Sequence, residues 1–239
     1  MKRTDKESKK EKKEKKQKKP RRQGEGSRVY RVIYAIFAGL VGWFLRVRVV
    51  GAENEPEEGH FVVCGNHTAK ADAVVICYAF RKHQVRCMAK QELFKIPVLA
   101  QLLRLLGAFP VDRSGSDVGA IKKAVTMVKE GNCMGIFPQG HRYQGVDPRT
   151  TPTKNGAALI CARAEADVVP VYIHRKNHTP KMFRKTWIVI GKPIPFEELA
   201  YDPEATGEYG RITGVIFDRI CALGEEFRAE MEAGRIKND

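Results

Sequence analysis

The chain has 239 residues, 43% of them apolar, with a formal net charge of +15. That length and apolar share exclude a staple-dependent mini-protein and a wholly disordered chain, since one ordinary hydrophobic core can form. Six cysteines, at positions 64, 77, 87, 133, 161 and 221, include no Cys-x-x-Cys pair and so point to reduced, buried thiols instead of a disulfide frame or zinc site.

The charge is uneven. Residues 1–32 hold fifteen Lys/Arg against five Asp/Glu, so ten of the fifteen net charges sit there. Residues 2–28 contain no apolar side chain and cannot offset their ordering entropy, which predicts a disordered basic arm over 1–28. Such an arm is either a solvated tail or an attraction for anionic headgroups or nucleic acid. Residues 29–49 are expected to be a membrane-associating apolar segment. Its fourteen uncharged residues Val32–Leu45 lie between Arg28, Arg31 and Arg46, Arg48. As a helix they reach about 21 Å, short of the roughly 30 Å hydrocarbon core, so an interfacial seat on the cytoplasmic leaflet is expected, with Tyr30, Tyr34 and Trp43 at headgroup depth. A cleaved signal peptide and a helix packed on the domain itself are the rival readings; no small-residue cleavage site follows.

Residues 50–239 read as one domain in which short β-rich runs alternate with helical patterns, the mark of an α/β fold. Strands are predicted at 46–50, 61–64, 85–89, 108–111, 133–137, 168–173 and 186–190. Helices are predicted at 71–80, 98–106, 117–130, 154–166 and 208–232, the third capped by Ser116. The expected architecture is a single domain with a central mixed sheet flanked by helices. Leu93–Leu106 is too apolar for a one-sided surface helix, so its side chains are either core or the lining of a long apolar groove.

The chemistry-bearing stretch is Phe61-Val-Val-Cys-Gly-Asn-His67-Thr-Ala-Lys-Ala-Asp72. Five positions apart on a continuous helix, His67 and Asp72 would diverge by some 140°, whereas a strand-to-helix turn can bring them together. A carboxylate holding one imidazole nitrogen makes the other a base able to take a proton from an alcohol. Two further blocks, Leu106-Gly-Ala-Phe-Pro-Val-Asp-Arg113 and Ile136-Phe-Pro-Gln-Gly-His-Arg142, sit at carboxyl ends of predicted strands, where ligands of open α/β sheets gather. Arg113 and Arg142 are therefore expected near His67, suited to a phosphate monoester.

With Val168-Val-Pro-Val-Tyr-Ile173, these blocks in this order resemble the motifs of the glycerolipid acyltransferase family, the 1-acylglycerol-3-phosphate acyltransferases in particular. The resemblance runs from about Val49 to Pro193 and includes Ala89-Lys-Gln-Glu-Leu-Phe94, Lys154-Asn-Gly-Ala157 and Gly191-Lys-Pro-Ile194. It implies transfer of a fatty acyl group from acyl-CoA or acyl carrier protein to the sn-2 hydroxyl of lysophosphatidic acid, yielding phosphatidic acid at a membrane. His67 would be the general base and Asp72 its partner. Asn66, Thr68, Lys90, Arg113, Gln139, Gly140 and Arg142 would be the substrate-binding set. The third block departs from the family's usual Phe-Pro-Glu-Gly-Thr-Arg, because Gln139 and His141 replace Glu and Thr; this opens the acceptor's identity to another lysolipid. No G-x-S-x-G elbow is present, which agrees with direct transfer, and neither metal-ligand spacing nor a dinucleotide loop implies a cofactor. Two rivals from other classes are a basic nucleic-acid-binding module and a His–Asp hydrolase. The remaining +5 outside residues 1–32 and the lack of aromatic-basic interleaving disfavour the first, so no nucleic-acid partner is expected.

Overall fold

The structure, a computed structural model, describes residues 32, 39, 42–112, 118–181 and 183–236. Seven strands, β1 (Val47–Val50), β2 (Phe61–Gly65), β3 (Arg86–Lys90), β4 (Phe109–Val111), β5 (Met134–Ile136), β6 (Asp167–His174) and β7 (Thr186–Ile190), join in the order β1-β7-β6-β2-β5-β3-β4. All neighbours run parallel except β6 and β7, so the sheet is mixed, as the alternating pattern predicts. The helices are α1 (Asp72–Ala79), α2 (Pro97–Leu105), α3 (Val118–Lys129), α4 (Gly156–Ala164) and α5 (Glu208–Glu232).

Two cores follow from the two-residue period of the central strands. In β2, Val62 and Cys64 face a cluster that takes Ala124 and Val128 from α3, Ile160 from α4 and Ile212, Ile216 and Ile220 from α5. Phe61 and Val63 face the other cluster, with Val75, Ile76 and Ala79 of α1 and the following Phe80. Being covered on both faces, β2 and β7 are buried at every residue and read as apolar runs instead of alternating ones. On α5, Gly224 lies where a Cβ would come within 2.5 Å of the Tyr172 ring, so this helix can approach β6 only through a residue without a side chain. Arg228 of the same helix donates to the Tyr172 hydroxyl at 2.8 Å.

Two expectations change. The sheet begins at Val47, so residues 47–49 of the 29–49 segment belong to the domain, pairing with Thr186–Ile188. The backbone there finds ladder partners that an anchor helix would not offer. The arm 1–28, most of 29–41 and the Ser116 cap lie outside the described residues. The second change concerns α2: only Ala100 is buried in it, while Val98 is 81% and Leu105 43% exposed, so the helix lies on the surface.

His174 makes the stability of this fold pH-dependent. Its ring packs on Phe227, centroids 5.3 Å apart, and its Nδ1 finds no partner. Burial, followed by the charges of Arg228 and His178, pushes it down to about 4 from 6.5. Between those values the unfolded chain binds more protons than the folded one, so stability falls as pH drops from about 6.5 toward 4. Denaturant midpoints measured over that interval should fall steadily, and His174→Phe should flatten the slope. An unchanged slope in the variant would place the titration elsewhere, with His178, also lowered by burial, the next group to test.

Candidate active site

The turn between β2 and α1 places the catalytic candidates, and long-range hydrogen bonds hold it. Asn66 clips it to β6: its Nδ2 donates to the Ile173 carbonyl at 3.1 Å and its Oδ1 accepts from the Ile173 N–H at 2.6 Å. The His67 backbone is gripped by the third block, its N–H donating to Gln139 Oε1 at 2.5 Å and its carbonyl accepting from Tyr143 N at 2.9 Å. The imidazole stacks on Phe137 at 4.1 Å, the two ring planes nearly parallel at 11°.

Asp72 opens α1, where the helix dipole favours a carboxylate. The chain doubles back between the two residues, so Asp72 Oδ2 accepts from His67 Nδ1 at 2.9 Å, Thr68 N at 2.6 Å and Ala69 N at 2.7 Å. Its other oxygen accepts from Arg175 Nη1 at 2.6 Å. Burial by itself would raise this carboxyl, but the bond from His67, the charge of Arg175 and the Ala69 N–H together hold it below the ordinary carboxylate value. Asp72 is thus an ionised acceptor at neutral pH. Nδ1 must then carry the proton, which leaves Nε2 as the basic nitrogen of His67.

His67 lies on the wall of a cleft of about 430 Å³ at the carboxyl ends of β4 and β5, running between the sheet and helices α3 and α4. Its interior is apolar, with Met88, Val111, Ile121, Ile136, Ala157 and Leu159; Asp112, His141 and Lys154 supply the polar rim. None of Leu93–Leu106 lines this cleft, so the apolar surface available to a chain comes from α3 and α4 instead of α2. No group of three His, Cys, Asp or Glu suited to a metal ion occurs among the described residues.

The other sequence candidates fall into three groups. Asn66, Thr68 and Gln139 are buried and already engaged: Thr68 Oγ1 accepts from Arg175, and Gln139 Nε2 donates to Thr151 Oγ1 at 2.6 Å. These side chains hold His67 and Asp72 in place instead of facing the cleft. Gly140 lines the cleft, its φ of +67° closing the tight turn from Phe137, and an added Cβ would come within 2.8 Å of the Lys154 side chain. Lys90 and Arg142 are exposed and line no part of the cleft; Lys90 pairs with Glu92 at 3.1 Å. Arg113 lies outside the described residues.

Residue-by-residue reading missed Arg175 and Thr186, whose Oγ1 accepts from Arg175 Nε, and did not single out Lys154 or Phe137. A buried carboxylate demands a counter-charge, but 103 positions separate Asp72 from Arg175, and no local spacing reveals the partner.

The chain thus combines a parallel-rich α/β sheet with a bonded His–carboxylate pair whose imidazole lines an apolar cleft. The acyltransferase family model matches residues 46–174, more than half of the chain, and the chain belongs to that family. It is 31% identical over 159 residues to a 1-acyl-sn-glycerol-3-phosphate acyltransferase of Bacillus subtilis, spanning 66% of this chain and 78% of that protein. A protein of the same description from Borreliella burgdorferi is 31% identical over 136 residues, covering 56% of this chain and 53% of its own. The crystal structure of the 1-acyl-sn-glycerophosphate (LPA) acyltransferase of Thermotoga maritima shares the fold, with a TM-score of 0.62 over 82% of this chain and 79% of that one, at 24% identity.

Proposed function

We propose that this chain transfers a fatty acyl group from an acyl thioester, on coenzyme A or acyl carrier protein, to the sn-2 hydroxyl of 1-acylglycerol-3-phosphate, making phosphatidic acid. The observation that carries this reading is the bond from Asp72 to the imidazole of His67 on the wall of an apolar cleft. His67 Nε2 takes the hydroxyl proton as the oxygen attacks the thioester carbonyl, forming the C–O bond and a tetrahedral oxyanion. Collapse breaks the C–S bond, and the imidazolium returns its proton to the leaving thiolate. Asp72 stays ionised throughout, orienting the ring and stabilising its charged form.

Lys154 places a fixed positive charge on the cleft rim for the acceptor phosphate, with His141 beside it. The acyl chain occupies the apolar floor between β5, α3 and α4. In Ile121→Trp the indole would shorten that floor, and each methylene turned out of it loses about 0.8 kcal/mol, roughly fourfold in kcat/KM. Long acyl donors should therefore lose out to short ones in a chain-length series, whereas an unchanged preference would move the chain elsewhere.

No helix among the described residues is long and apolar enough to cross a membrane. Trp43, Phe44 and Phe183 form an exposed aromatic cluster, rings 5.2 to 6.0 Å apart, that supports an interfacial seat. The direct test of the activity is transfer from a labelled thioester to a panel of lysolipids in vesicles. Product with lysophosphatidic acid alone establishes the acceptor; product only with another lysolipid overturns it while leaving the chemistry.

A further inference from the structure

We propose that Arg175 is a positioning residue for the proton transfer, which neutralises Asp72 through its second oxygen and so sets the charge and orientation of the carboxylate that His67 leans on. The inference rests on the reading of His67 as the base.

The problem it solves is electrostatic. A general base must be unprotonated when the hydroxyl arrives, yet a buried carboxylate bonded to an imidazole favours the imidazolium. Here the His67 and Asp72 side chains are 8% and 0% exposed, so water screens that attraction poorly. A permanent cation on the far carboxylate oxygen offsets it. Arginine fits this place because it stays charged at every pH an assay can use and because its donors have a fixed fork geometry.

The surroundings of Arg175 mark a built position. The residue is 4% exposed and follows directly on β6, at the same sheet end as the turn it serves. Nη1 donates to Asp72 Oδ1 and to Thr68 Oγ1, each at 2.6 Å, and Nε donates to Thr186 Oγ1 at 3.2 Å. Oxygens from the β2–α1 turn, from α1 and from β7 therefore hold one guanidinium. A lysine ammonium could supply the charge but not the three-way grip. The other groups around His67 leave this role open. Gln139, beneath its backbone, and Thr68 and Thr186 are neutral, while Asp112, His141 and Lys154 line the cleft on its substrate side.

The test compares full-length wild type, Arg175→Gln, Arg175→Lys and the milder Thr186→Val, each shown to be folded. The His67 imidazole is titrated by NMR of carbon-labelled histidine, assigned as the resonance missing in His67→Ala, and kcat/KM for acyl transfer is followed over the same pH range. In Arg175→Gln both the His67 midpoint and the acid limb of the activity profile should move up by about one to two pH units. Thr186→Val, whose guanidinium loses its Nε anchor, should shift them the same way by less. Arg175→Lys should keep the midpoint near that of wild type while kcat falls several-fold. A His67 midpoint unmoved in Arg175→Gln, or in Thr186→Val should the first variant not fold, overturns the proposal. A midpoint that moves while the acid limb stays put upholds the effect of Arg175 on His67 and removes His67 as the base.

Discussion

Replacing His67 by alanine should lower acyl transfer at least about a hundredfold, the scale of a lost general base, and leave the fold nearly as stable as before. The second half of this expectation comes from the hydrogen bonds that remain. Without the imidazole, Asp72 still accepts from the Thr68 and Ala69 N–H groups and from Arg175, and the backbone at position 67 still reaches Gln139 and Tyr143. No buried charge is orphaned. Steady-state rates and denaturant midpoints taken on the same preparations check both parts, and activity that survives in the folded variant would transfer the proton to another group.

Asp72→Asn should behave differently, losing both activity and stability. The carboxylate takes only donors: His67 Nδ1, two backbone N–H groups and Arg175 Nη1. Either orientation of an asparagine amide turns its NH2 toward some of those donors, and the Arg175 guanidinium, 4% exposed, keeps its charge with no counterion. Breaking a buried pair from one side costs about 3–5 kcal/mol, so the unfolding midpoint should drop well below that of His67→Ala. The rate should fall by about 10²–10⁴, since an amide neither fixes the tautomer nor stabilises the imidazolium. A variant within about 1 kcal/mol of wild type would show that Arg175 finds another partner, and the electrostatic account of the site would then fail.

The contrast between the two substitutions reflects the architecture of the turn. His67 hangs from a backbone clamped by Asn66, Gln139 and Tyr143, whereas Asp72 is itself a clamp, tying the first turn of α1 to the segment after β6. The replacement of glutamate by Gln139 in the third block has a local reason in the same scheme. Its buried amide accepts from the His67 N–H and donates to Thr151, whose hydroxyl passes on to the Pro148 carbonyl. An uncharged residue meets both demands without adding a second negative charge beside the His67 backbone.

Most of the strands and helices were legible along the chain, because each rests on interactions within a few residues. The run at 61–64 is apolar throughout and that at 186–190 is apolar after Thr186, as strands covered on both faces are, and the 3.6-residue period over 117–130 and 208–232 locates α3 and α5. The His67–Asp72 pair was legible too, since a five-residue separation across a strand-to-helix turn is itself a local constraint. What the period cannot say is which apolar helix meets the sheet. Leu93–Leu106 reads as core or groove lining and 117–130 as a helix with one apolar face, yet α2 stays at the surface and α3 with α4 forms the cleft, a choice made by tertiary packing that the local pattern does not carry. The counter-charge of Asp72 belongs to the same class of fact. Arg175 and Thr186 reach the site only because β6 runs beside β2 and β7 beside β6, and contacts made by strand pairing over a hundred residues leave no trace in the spacing of the sequence.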